Sequence, residues 1–327
     1  SSPGYFPREQ RLTIAAGRQS SANVSLEEQL IWSCRPSEGN ATRPFAVGDL
    51  DGDGVLDCIA GSGDASVYAL SGLDGSTLWK TRPSLFVRDG WTAKSAEEVG
   101  EVVAVWTLSG TQVYPSTSLA DVDLDGVLDC VVGFEEGVCA LSGRDGDVLW
   151  IYSTAGPVLS SPGLVDLDGD GIVDAVVGSL DGAVHAISGR AGTALWECKT
   201  DDPVLYSGAT GDLNGDGVAD YIVGCRDKCV IALSGRDGSA LWKRDAGGWS
   251  QTSSSTADLN GDGVPDCVIA SADHQVCALS GKQGSVLWSY RTGGEFLWSP
   301  SLVDLSADGV SDCVVASIDG WVYALSG

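Results

Sequence analysis

Asp49-Leu50-Asp51-Gly52-Asp53-Gly54-Val55-Leu56-Asp57 puts oxygen-bearing side chains at its first, third, fifth and ninth positions and glycine at its sixth. Hard cations such as Ca²⁺ take six to eight oxygen ligands at about 2.3–2.6 Å, and a glycine lets the chain turn sharply around the ion. The same pattern starts again at Asp121, Asp166, Asp212, Asp258 and Asp304. One such loop can arise by chance. Six in register define a repeat.

The candidate ligands follow from these positions. Three loops carry four carboxylates: Asp49, Asp51, Asp53 and Asp57; Asp121, Asp123, Asp125 and Asp129; Asp166, Asp168, Asp170 and Asp174. Two substitute one amide: Asp212, Asn214, Asp216 and Asp220; Asp258, Asn260, Asp262 and Asp266. In the last set, Asp304, Ser306, Asp308 and Asp312, Ser306 and Ala307 predict the loosest site. Leu124 stands where the other loops mostly have glycine, which questions the backbone there. About six Ca²⁺ ions are expected. The loops lack histidine and repeat alike, which suits clamps that stabilise a fold rather than metal catalysis.

Outward from the loops, an Ala-(Leu/Ile)-Ser-Gly tetrad ends at Gly72, Gly143, Gly189, Gly235, Gly281 and Gly327, spaced 71 residues and then 46 four times. A period in the forties built of strand-type sequence signals a propeller. Each unit reads as a short apolar strand (Ser301-Leu302-Val303), the acidic loop, and a second strand (Asp174-Ala175-Val176-Val177-Gly178-Ser179). A turn (Asp181-Gly182), a third strand (Ala183-Val184-His185-Ala186-Ile187) and a fourth containing Leu195-Trp196 complete it. Four short strands with tight turns make one blade. The expected fold is all-β: a single six-bladed propeller of four-stranded antiparallel blades over residues 1–327. Its repeats span 45–79, 117–150, 162–196, 208–242, 254–288 and 300–327, with an insertion at 80–116. The last unit stops before its Leu-Trp strand, and residues 30–34 (Leu-Ile-Trp-Ser-Cys) supply that pattern at the other end. They are expected to close the ring and remove its open edges. A seven-bladed alternative would use residues 11–29, and Val102–Leu108 in the insertion reads as a further strand.

The loop D-x-D-x-D-G-x-x-D after a small apolar strand resembles the FG-GAP repeat of integrin α-subunit propellers. Ala69-Leu70-Ser71-Gly72-Leu73-Asp74-Gly75-Ser76-Thr77-Leu78-Trp79 resembles the tryptophan-docking repeat of quinoprotein-like propellers. The resemblance covers residues 45–327. It implies a propeller fold, while such propellers host adhesion, lectins, lyases and dehydrogenases alike.

The formal charge is −26, and the six loops hold 21 of the 45 acidic residues. Six divalent cations would bring the charge to −14. With no basic stripe to neutralise phosphates, nucleic acid is not an expected partner. No apolar run approaches the ~20 residues of a membrane-spanning helix. Ten cysteines without a C-x-x-C pair, and sequons at Asn23 and Asn40, read as an oxidising, secreted setting. The absence of Met reads as a processed N-terminus. Cys130 with Cys139, Cys267 with Cys277, and Cys225 with Cys229 flank short turns and are candidate disulfides, while Cys34, Cys58, Cys198 and Cys313 stay unassigned.

Trp32, Trp79, Trp150, Trp196, Trp242 and Trp288 share one repeat position and read as blade-to-blade packing. Trp298, Tyr206, Trp249 and Tyr114 fall in connections between blades, and the insertion adds Trp91 and Trp106. These connections lie on the face opposite the acidic loops, around the central channel, so the six rings are candidate ligand-stacking residues. Plugging of the channel is the competing structural role. His185 occupies a strand position held by Tyr68, Cys139, Ile231, Cys277 and Tyr323 elsewhere, and reads as a packed histidine; His274 lies in a turn. Asp181, Asp227, Asp273 and Asp319 crown turns on the same face as the aromatics and read as turn chemistry.

The leading functional expectation is a secreted, calcium-stabilised propeller that binds a glycan, a protein or a small aromatic molecule and catalyses nothing. The alternative is an extracellular enzyme with its site at the channel mouth. A quinone dehydrogenase would need cations around an anionic cofactor, for which Arg43, Arg88, Lys94, Arg226 and Lys228 are the candidates. A polysaccharide lyase or hydrolase would need facing carboxylates. A third reading is a structural matrix component or a receptor head.

Overall fold

Val, Ile and Ala fill the second and third strands, which in blade three are covered on both faces. All six residues of Asp174–Ser179 and all five of Ala183–Ile187 are buried. The fourth strand, Ala194–Lys199, lies at the rim and buries only Trp196. The computed structural model describes residues 41–43, 46–62, 66–82, 117–225, 228–245, 254–271, 273–296 and 299–327. These belong to a compact unit spanning residues 34–327.

Six antiparallel sheets form the blades. Blade one holds β1 (Ala41–Arg43), β2 (Val47–Gly48), β3 (Asp57–Ser62), β4 (Val67–Leu70) and β5 (Thr77–Thr81), with β1 and β2 both paired to β3. Blade two holds β6 (Thr117–Ala120), β7 (Asp129–Phe134), β8 (Gly137–Leu141) and β9 (Val148–Ser153). Blade three holds β10 (Gly163–Val165), β11 (Asp174–Ser179), β12 (Ala183–Ile187) and β13 (Ala194–Lys199). Blade four holds β14 (Ala209–Gly211), β15 (Asp220–Gly224), β16 (Cys229–Leu233) and β17 (Ala240–Asp245). Blade five holds β18 (Ser255–Ala257), β19 (Asp266–Ala270), β20 (Gln275–Leu279) and β21 (Val286–Arg291). Blade six holds β22 (Ser301–Val303), β23 (Asp312–Ala316) and β24 (Val322–Leu325). The described residues contain no helix, so none is long and apolar enough to cross a membrane.

The tetrad has a structural reason at each letter. Its Ala is the cross-strand partner of the tryptophan, as in Ala140↔Trp150, Ala186↔Trp196 and Ala232↔Trp242, and the register shifts at the next residue. That irregularity lets the chain leave the third strand through Ser-Gly. A Cβ on Gly189 would sit 1.8 Å from the carbonyl oxygen of Val173, so only glycine fits.

Tryptophan joins each blade to the next. The indole N–H groups of Trp79, Trp150, Trp196 and Trp242 donate to the carbonyls of Gly143, Gly189, Gly235 and Gly281 at 2.6–2.7 Å. Each ring also lies on the positive-φ glycine three residues further on, Gly146, Gly192, Gly238 or Gly284, where a Cβ would approach the ring within 2.9 Å. Apolar cores span consecutive blades, for example Val176, Val184 and Trp196 against Tyr221, Val223 and Leu233. At about 25 cal/mol per Å², an aromatic side chain burying 150–250 Å² gains on the order of 4–6 kcal/mol of transfer free energy.

Among the described residues, blade six contributes three strands. The proposed fourth, residues 30–34, lies outside the described residues, as do 11–29 and 102–108. Leu305, whose counterparts Leu50, Val122, Leu167, Leu213 and Leu259 are 2–6% exposed, is 53% exposed. The indole N–H of Trp288 is buried without a hydrogen-bond partner.

The expected disulfides do not form among the described cysteines. Strand register supplies the reason for two pairs. Cys130 faces Leu141 and Cys139 faces Val132, so the two cysteines are diagonal neighbours. Cys267 faces Leu279 and Cys277 faces Ile269, which is the same offset. Diagonal neighbours lie about 7–8 Å apart, beyond the usual disulfide span. Cys225 and Cys229 close a hairpin through a backbone bond, Cys225 N–H to the Cys229 carbonyl at 2.8 Å, with no S–S bond. Burial pushes the Cys130 and Cys267 thiols up to about 12, which keeps them protonated and inert.

Candidate functional site

Each acidic loop joins the first strand of a blade to the second, and its side chains first serve its own backbone. The first aspartate accepts from the N–H at position six, as Gly54 to Asp49 at 3.0 Å and Gly171 to Asp166 at 3.1 Å. The third-position oxygen accepts from the fifth N–H, and the fifth from the seventh, as in Asp170 to Asp168 (3.0 Å) and Ile172 to Asp170 (2.8 Å). These are Asx turns. They aim the remaining carboxylate oxygens at one another. In three loops a trio of acids brings ligand atoms within 4.8 Å: Asp49, Asp51 and Asp53; Asp121, Asp123 and Asp129; Asp166, Asp168 and Asp174. These are the loops with four carboxylates. Asn214 donates its amide to Asp216 and Asp220 at 3.4 Å, and Asn260 to Asp266 at 3.3 Å, so the amides partly replace a cation there.

The ninth-position aspartate has a role that ligand spacing alone did not reveal. Asp57, Asp129, Asp174, Asp220, Asp266 and Asp312 are 0–5% exposed. One oxygen accepts from the loop's second N–H, as Leu167 to Asp174 at 2.8 Å, and the other from the tetrad glycine, as Gly189 to Asp174 at 3.0 Å. The residue therefore ties the loop to the Ser-Gly turn of its own blade. Burial pushes Asp129 up to about 6 and raises Asp174, Asp220 and Asp266 in the same direction. Two N–H donors on each carboxylate offset part of that cost.

A second unforeseen element is arginine. Arg144, Arg190 and Arg236, each directly after a tetrad, bond Asp125, Asp170 and Asp216 through Nε at 2.9, 2.8 and 3.3 Å. A guanidinium thus holds the fifth-position carboxylate in blades two to four. Its bond to Asp170, with the Ile172 N–H, holds that carboxyl below the usual range. Blade one has Leu73 at this position, leaving Asp53 without such a clip. The sequence signal was Ser-Gly-Arg, visible only once the loop and the turn are known to meet.

At the other end of the blades, Tyr206 is the one predicted stacking residue that falls within the described residues, and it is half-buried. Trp298, Trp249, Tyr114, Trp91 and Trp106 lie outside them, as do the sequons at Asn23 and Asn40. The connections there are anchored by fully buried residues that the sequence reading passed over: Val158, Val204 and Phe296. A Cβ on Gly178 would lie 2.0 Å from Val204, so glycine in the second strand makes the seat. Asp181 and Asp319 clamp the same connections, accepting from Ala155 N–H at 3.1 Å and Gly293 N–H at 3.0 Å. His185, 3% exposed, meets Asp181 through Nε2 at 3.1 Å and the Tyr152 hydroxyl through Nδ1 at 3.3 Å. It joins blades two and three, as the packed reading expects. Tyr323 takes the equivalent place in blade six, donating to Asp319 at 2.8 Å.

The sheets and their stapled interfaces define a β-propeller. A family profile described as outer membrane protein assembly factor BamB matches residues 63–220 and 180–325, and the chain belongs to that family. This is the quinoprotein-like half of the resemblance in the sequence. No curated protein matches the chain. Among solved structures, BBS1N in complex with ARL6DN is 11% identical with a TM-score of 0.59, covering 88% of this chain and 80% of that one. Sqt1 of Saccharomyces cerevisiae is 12% identical with a TM-score of 0.61, covering 83% and 69%. The V. cholerae biofilm matrix protein Bap1 is 22% identical with a TM-score of 0.55, covering 82% of this chain and 43% of that one. At these identities the likeness is one of fold.

Proposed function

We propose that this chain is a secreted, calcium-stabilised propeller that serves as a non-catalytic binding module for an extracellular glycan, protein or small molecule. The observation that carries the calcium reading is the convergence of carboxylates in the loops that begin at Asp49, Asp121 and Asp166. Their likeness to integrin-type repeats points the same way. Blade one, with four carboxylates and no arginine clip, is the strongest site on this reading, and the loop at Asp304 the weakest. Binding of a protein partner is supported by the fold neighbour BBS1N, whose structure is a complex with ARL6DN. The sequons at Asn23 and Asn40 support a secreted setting, while the cysteines lend it nothing.

Native mass spectrometry of the isolated protein, before and after chelation, tests the reading. An excess of several calcium masses that chelation removes is expected. A mass unchanged by chelation in calcium-containing buffer rejects the calcium loops. A tightly held organic mass would instead favour the enzyme or carrier alternative.

A further inference from the structure

Leu124 is the one large residue at the fourth position of an acidic loop. Gly52, Gly169, Gly215 and Gly261 hold that place elsewhere, and Ala307 in the last loop. The backbone there is left-handed, with φ of 63° at Leu124. An L-residue is strained in this region because its Cβ crowds the following carbonyl. Packing does not compensate, since Leu124 is 62% exposed. A strained, exposed apolar side chain that glycine would relieve calls for a role outside the fold.

Leu124 forms one wall of a crevice of about 300 Å³ between blades two and three. Val122, Leu149, Trp150 and Ile172 make the rest of the apolar lining, with Asp123 and Arg190 as its charged groups. At the glycine positions of the other loops an added Cβ would meet nothing within 4 Å, so those loops raise no such wall. Arg190 spends Nε on Asp170 at 2.8 Å, yet its side chain is 59% exposed. A guanidinium has five N–H donors, so donors remain to face a ligand. Asp123 on the other side repels an anion and so orients it towards Arg190.

We propose that this crevice binds a small aromatic molecule bearing one carboxylate, its ring against Leu124 and its anion on Arg190. The volume lies at the small end of ligand pockets, which suits a one- or two-ring compound. The site lies at the acidic-loop end of the blades, away from the aromatics predicted at the opposite face. It shares Asp123 with the converging trio of its loop, so the titrations with calcium and with chelator separate the two readings.

The probe is 2-naphthoate, titrated by calorimetry and followed by saturation-transfer NMR, with calcium and again with chelator. Saturable one-to-one binding is expected in both conditions. Leu124→Gly should weaken it at least tenfold while raising the thermal midpoint, which shows that the fold is intact. Arg190→Gln should weaken 2-naphthoate to the level of neutral 2-naphthylmethanol. Absence of saturable binding, or wild-type affinity in Leu124→Gly, overturns the proposal. Equal affinity for the acid and the alcohol overturns the role of Arg190.

Discussion

At the scale of single residues, the ninth-position aspartates hold the loop's backbone, and Asp129 and Asp174 also turn towards the other acids of their loops. Asp174 satisfies two backbone donors in a buried place. Asp168 is exposed and serves one N–H within its own loop. An orphaned buried donor costs about 1–3 kcal/mol. Asp174→Ala is therefore expected to lose about 2–5 kcal/mol in urea unfolding already in chelator, and more with calcium present, because Asp174 also belongs to a converging trio. Asp168→Ala should cost under about 1 kcal/mol in chelator and more with calcium present. Equal losses for the two variants in chelator would show that the buried clip does not have the weight assigned to it. Protonation gives a second handle. Burial raises Asp129 from 3.8 to about 6 in the folded protein. The folded state then takes up a proton more readily than the unfolded chain, so stability from this group grows as pH falls from 7 towards 4. It is fully present below the unfolded value and lost as pH rises through 6. In chelator the melting temperature contribution of Asp129, read against a variant at that position, should rise on acidification. With calcium bound it should fall, because protonation competes with the ion.

At the scale of elements, the strands, turns and acidic loops were legible because each recurs with a 46-residue spacing and a local pattern. The sequence also marked the tryptophans as packing residues. Their hydrogen bonds were hidden, since Trp196 and Gly235 are 39 residues apart and the acceptor is a backbone carbonyl. The seating of Val158 and Val204 was equally unreadable, because one valine in an irregular connection carries no period. The cysteines misled for a geometric reason. Sequence shows two cysteines on adjacent strands, but a diagonal offset appears only with the register. The loop acids were expected as sets of four, and in three loops a trio of them converges, while the arginine clip needed knowledge that turn and loop meet. Trp196→Phe tests the inter-blade staple. It keeps one aromatic ring in place but removes the N–H with the pyrrole half of the indole and orphans the Gly235 carbonyl, with an expected loss of about 1–3 kcal/mol or more by denaturant unfolding. No loss would assign the tryptophan to packing alone.

At the scale of the whole molecule, charge and cations act together. A chain of net charge −26 strains its own compact state by self-repulsion. One site held at a hundredfold excess over its Kd adds about 2.7 kcal/mol, and a domain of this size gains roughly 2–4 °C per kcal/mol. Chelation that empties two loops should lower the melting temperature by on the order of 10 °C. Added monovalent salt should recover part of it through screening. An unchanged midpoint by calorimetry would reject calcium as a stabiliser.

The tryptophan staple also sets how the molecule responds to tension. Each described indole bond ties a blade to its immediate successor in sequence, never to one further along. Strain applied at the two chain ends is then carried in series, through one interface after another. The array should unravel as a row of links, one blade after another. In a force-extension trace this appears as a sawtooth, each tooth releasing one 46-residue repeat, or about 150 Å of extended chain. The spacing read in the sequence thus becomes a length measured with a cantilever.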